Sequence, residues 1–75
     1  RAEKLYIRIN KDMEEKMLKS LKAMFKYFSG NIPTYIYNEK EKTMMNMGRE
    51  YWIYMNESLM SELNEKFGAE NIKVV

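Results

Sequence analysis

Asp12 and ten glutamates are the only carboxylates in this 75-residue sequence. Two pairings are Glu14 with Glu15 and Glu39 with Glu41. Two carboxylates can divide acid and base roles only when burial or a neighbour separates their pKa values. These pairs sit in polar, lysine-rich surroundings, so they read as solvated charge. Ser20, Ser29, Ser58 and Ser61 are possible nucleophiles, but the chain has no histidine to activate one. There is no cysteine either, which leaves no thiolate metal site and no disulfide. The three glycines are isolated and form no phosphate-cradling loop. No catalytic, metal or cofactor residue is assigned, and the chain reads as a non-enzyme.

Lys16, Lys19, Lys22 and Lys26 follow the acids along one helical stretch. A basic amphipathic helix can bind a membrane, a groove or phosphates. Acids first and bases last is also the order that the helix dipole favours. The apolar stripe of the same stretch is needed for the core, which argues against a membrane role. A net charge of +2 does not by itself call for an acidic partner. The apolar runs are too short to span a bilayer or to act as a signal peptide, and the expected location is cytoplasmic.

The elements that must position any site follow from periodicity. Leu5, Ile7 and Ile9 alternate with Tyr6 and Arg8, the pattern of a strand with one buried face. Asn10 or Asp12 can cap the next helix, and Asp12 with Glu15 has capping-box spacing. Met13, Met17, Leu18, Leu21, Met24, Phe25 and Phe28 then share a helical face. Gly30 stands where a left-handed helix cap is expected, and Pro33 prevents the helix from resuming. "PTYIY" predicts a strand, "NEKEK" a loop, "TMMNM" another strand, and "YWIY" after Gly48 a fourth. Asn56 caps a second helix that buries Leu59, Met60, Leu63 and Phe67; Gly68 ends it before a final strand, "NIKVV".

Strand, helix and strand thus occur twice, from "LYIRIN" to "PTYIY" and from "YWIY" to "NIKVV". The expected fold is an α+β two-layer sandwich of β-α-β-β-β-α-β order, with two helices on one face of a mixed sheet. Leu5, Ile7, Ile9, Ile36, Ile53, Ile72 and Val74 would face the helices. Tyr6, Tyr35, Tyr37, Trp52, Tyr54 and Lys73 would face away, while Tyr27, Tyr51 and one side of "TMMNM" are left to complete the core. Two helices cannot cover both sides of a sheet. An aromatic far face is therefore either an interaction surface or the seat of a neighbouring domain. Its candidate residues are Tyr6, Tyr35, Tyr37, Trp52 and Tyr54. The same face would also suit a single-stranded nucleic-acid binder that stacks bases, although the glycine- and arginine-rich strand motif of RNA-recognition domains is missing. A regulatory domain of ferredoxin-like shape that binds a small molecule is a third reading.

"KLYIRI", "SGNIPTYIY" and "MGREYWIYMNESLMSELNEKFGAENIKVV", in that order, resemble the extreme C-terminal domain of the bacterial DNA polymerase III alpha subunit. Gly30, Pro33, Tyr35, Leu59, Leu63, Gly68, Asn71, Ile72 and Val74 hold the places that carry the likeness, and the methionine-rich "TMMNM" departs from it. The resemblance implies that residues 1–75 are one C-terminal domain cut from a longer polymerase chain, in keeping with an opening Arg1. It further implies that the nucleotidyltransferase chemistry of chromosomal replication lies upstream. The role implied for this domain is docking, with the clamp-loader tau subunit and the upstream polymerase domains as partners and DNA met only indirectly.

Overall fold

A computed structural model describes residues 3–75. The residues that alternate form two of the strands expected, β1 at Leu5–Ile9 and β3 at Thr34–Asn38, and "TMMNM" supplies β4 at Thr43–Asn46. A short strand β2, Ser29–Ile32, precedes β3, and β5 at Ile72–Val74 ends the chain. Helices α1, Glu15–Tyr27, and α2, Glu57–Phe67, lie where the three-to-four periodicity places them.

The sheet has the order β4-β3-β1-β5. β1 and β3 are parallel, as expected for a strand–helix–strand crossover through α1, and β4 and β5 each add an antiparallel edge. Parallel register sets Leu5 beside Thr34 and Ile7 beside Ile36, and Val74 and Ile72 continue those rows on β5. This face meets Leu21 and Phe25 of α1 and Leu59 and Leu63 of α2 in one buried cluster. Both helices therefore cover the same side of a mixed sheet, and the fold is an α+β two-layer sandwich. Ile9, Ile72 and Val74 are partly buried at its margins. Burying the larger of these side chains contributes about 1.5–3 kcal/mol each, which makes the cluster the main source of stability.

The structure corrects four local expectations. "YWIY" is not a strand of the sheet: Arg49–Tyr51 is a 3-10 turn, and Ile53 makes isolated bridges to Ser29 and Ile32. The second strand–helix–strand repeat is consequently absent, because α2 follows a brace on β2 and not a sheet strand. Gly30 is not the left-handed cap of α1. It lies within β2, and a Cβ there would sit 2.5 Å from the backbone carbon of Ile53 and the nitrogen of Tyr54. Glycine is required because two backbones nearly touch. Neither Asn10 nor Asp12 caps α1, whose N-cap residue is Glu14 with no side-chain bond. Asp12 instead accepts a bond from Asn38 Nδ2 at 3.2 Å. Finally, Tyr27 is 81% exposed and contributes nothing to the core, whereas Met47 is buried and Tyr51 packs partly against it.

The expected caps of α2 are present. Asn56 Oδ1 accepts from the backbone N–H groups of Ser58 and Leu59 at 2.8 and 3.2 Å. Gly68, at φ +89°, ends the helix in a backbone region that side chains rarely adopt.

Candidate functional site

Successive residues of a strand point to opposite faces, so burying Leu5, Ile7 and Ile36 turns Tyr6, Arg8, Tyr35 and Tyr37 outward. The pairing then arranges them in two rows. Lys73, Tyr6, Tyr35 and Asn46 cross the sheet in one; Arg8, Tyr37 and Met44 form the next. None of the three tyrosines is fully buried, while Arg8, Met44 and Lys73 are exposed.

The Tyr6 and Tyr35 rings are stacked, with centroids 5.0 Å apart and planes 18° from parallel. Neighbouring strands are about 4.8 Å apart. Two rings lying flat on the sheet could not come that close, since each is wider than the gap. They must stand up from the strands with one face of each ring covered by the other, offering edges and hydroxyl groups outward. An offset pair of this kind contributes about 0.5–1.5 kcal/mol beyond its buried area.

Beside this pair, Tyr6, Arg8, Tyr37, Met44 and Lys73 line a groove of ≈ 570 Å³. Arg8 is held at one end of it: its Nε donates to Asn71 Oδ1 at 2.9 Å and its Nη2 to the Glu70 carbonyl at 3.3 Å. Asn71 is fixed in turn, because its Nδ2 donates to the Phe67 carbonyl at the end of α2. Asn71, tied to the last carbonyl of α2, therefore orients a cation on the opposite side of the sheet. A second hollow of ≈ 580 Å³ opens at the carboxyl ends of β1 and β3, and Arg8, Glu39, Glu70 and Asn71 line both it and the groove.

The five candidate residues fall into two places. Tyr6, Tyr35 and Tyr37 share the far face, as expected, and so does Lys73. Trp52 and Tyr54 do not, because the segment that carries them pairs with β2. The Trp52 ring lies 5.4 Å from the Arg49 guanidinium, and its indole N–H is buried without a partner. Tyr54 packs edge-on against Phe28 at 5.9 Å. Arg8 and Met44 were not among the candidates. Arg8 could have been found from its place two residues after Tyr6; Met44 depended on knowing the hairpin register.

Chemically the groove offers hydroxyls, one pinned guanidinium, one ammonium, a thioether and the carboxylates of Glu39 and Glu70, which is equipment for binding. Among the described residues no three acidic side chains converge to hold a metal ion. No helix of the described residues is long and apolar enough to cross a membrane.

The chain is 26% identical over 74 residues to the DNA polymerase III subunit alpha of Halalkalibacterium halodurans. It is similar to one short segment of that protein. The match takes in 96% of this chain but 7% of the length of the polymerase subunit. No protein-family model matches the sequence, and no solved structure matches it.

Proposed function

We propose that this chain is a non-catalytic docking module belonging to a DNA polymerase III alpha subunit, and that the Tyr6–Tyr35–Tyr37 face carries the contact. The likeness to the Halalkalibacterium subunit over nearly the whole chain supports the parent, and a replication role in the cytoplasm goes with it. The observation that carries the docking role is the stacked tyrosine pair on a sheet side that neither helix covers. Aromatic residues and arginine are enriched where proteins bind one another, and Met44 adds an adaptable contact. The partner proposed is the tau subunit of the clamp loader, with upstream domains of the polymerase chain as neighbours.

A base-stacking role for this face has the support of Arg8 and Lys73 beside the rings, since cations flanking aromatics suit a nucleic acid. The ring geometry favours protein. Bases stack on open ring faces, and here each ring of the central pair gives one face to the other. Titrating the 75-residue chain with the C-terminal region of tau tests the proposal. Saturable heat or chemical-shift changes centred on β1 and β3 support it, and no response at high micromolar concentration refutes it. Loss of Tyr fluorescence on adding oligonucleotides, abolished by Tyr6→Ala, would establish the base-stacking role instead.

A further inference from the structure

The opposite side of the molecule has a surface of different chemistry. From Lys16 to the end of α1 the sequence contains four lysines and no acid. Successive residues of a helix turn by about 100°, so Lys16, Lys19, Ala23, Lys26 and Tyr27 share the outward face, opposite Leu21 and Phe25. All five are exposed. The helix dipole accounts for Lys26 in the last turn but not for Lys16, which lies in the first turn, where a cation is disfavoured. The one acid of α1, Glu15, stands four residues before Lys19, so against its four lysines the helix keeps a surplus of three positive charges in a chain that carries only +2.

Aromatic rings accompany the charge. The ammonium groups of Lys22 and Lys26 sit 5.3 and 5.9 Å from the centroid of the Tyr51 ring. Such contacts hold a cation against the surface without neutralising it. Arg49, two residues before Tyr51, lies over the Trp52 ring, with the exposed Glu50 next to it in the chain. At the far end of the row stands Tyr27, which meets Phe28 in a T-shaped contact and leaves most of its ring open to solvent. It is the most exposed of the large apolar side chains.

We infer that the outward face of α1 is a binding site for a single-stranded nucleic acid, with the lysines along the phosphodiester backbone and Tyr27 stacking on a base. Charge complementarity selects a polyanion, and the open ring selects unpaired bases over an acidic peptide. Rows of cations ending on a free aromatic ring are the arrangement by which proteins hold single strands without reading sequence. This face lies across the sheet from the tyrosine pair, so the two surfaces are separable by mutation.

Fluorescence anisotropy with a labelled oligothymidylate of about 12 nucleotides tests the inference. Neutralising four phosphates on a single strand gives a slope of log K against log salt of about −3, or roughly 50-fold weaker binding between about 50 and 200 mM salt. The double variant Lys16→Gln, Lys19→Gln should halve that slope, and Tyr27→Ala should weaken binding about tenfold. Lys40→Gln, in the loop before β4, should leave both unchanged. No binding at low salt would overturn the inference, and so would an undiminished slope in the double variant. Unaltered affinity in Tyr27→Ala, or competition by polyglutamate equal to that of the oligonucleotide, would overturn it as well.

Discussion

Replacing Gly30 by alanine tests whether the brace between β2 and the Trp52–Tyr54 segment holds the fold together. The added Cβ would lie 2.5 to 2.6 Å from backbone atoms of Ile53 and Tyr54. No side chain can rotate to relieve this, so the two segments must separate. Separation strains the bond from Gly30 N–H to the Trp52 carbonyl, 2.9 Å, and that from Tyr54 N–H to the Phe28 carbonyl, 2.8 Å. Each contributes about 1 kcal/mol. It also draws Ile53, which is wholly buried, part-way from the core. Exposing half of that side chain costs about another 1 kcal/mol. The lower chain entropy of unfolded alanine returns about 0.5 kcal/mol, so the net loss should be about 2–3 kcal/mol. For a domain of this size that lowers Tm by roughly 10–20 °C, measurable by circular dichroism. Gly48→Ala is the proper comparison: it has φ +90° but nothing within 4 Å of the added Cβ. Conformational strain alone should cost about 1–2 kcal/mol there. A Gly30→Ala variant no less stable than Gly48→Ala would refute the idea that the close approach, and not local backbone freedom, requires glycine at position 30.

Two other substitutions test the account locally. Asn56→Ala removes the bonds to Ser58 and Leu59 and should destabilise the domain by about 1 kcal/mol in urea titration, with Asn56→Ser close to the parent. Trp52→Phe should cost less than the roughly 3–5 kcal/mol typical of emptying an aromatic site, because it also deletes a buried N–H that has no partner. A loss above about 3 kcal/mol in chemical denaturation would show that this N–H is satisfied after all.

The parts of the fold written in short-range patterns were readable in advance. Alternation in "LYIRI" and "TYIY" told core from surface residue by residue, because burying one face of a strand exposes the other. Tyr6, Tyr35 and Tyr37 could therefore be assigned to one surface before their register was known. The helices were equally plain from Leu21 and Phe25 and from Leu59 and Leu63. What was hidden depended on partners far along the chain. "YWIY" has strand composition, yet the β2 backbone, more than twenty residues earlier, takes Ile53 as a brace and leaves Tyr51 in a 3-10 turn. Gly30 follows a helix, where a glycine normally caps; its true constraint is the same distant segment. Asp12 had cap spacing, but Asn38 at the end of β3 claims its carboxylate. Arg8 looked like one more strand residue until Asn71 and Glu70 were found holding it at the end of the groove.

Calorimetric titration of this chain with the C-terminal region of tau, repeated with Tyr6→Ala, Tyr35→Ala and the pair, is the most direct test of the docking face. Truncating aromatic anchors at the centre of an interface typically costs about 2 kcal/mol or more. Each single variant should thus weaken binding at least about thirtyfold, and the double variant should abolish it while retaining the parent's circular dichroism spectrum. Full-strength binding by the folded double variant would contradict the account.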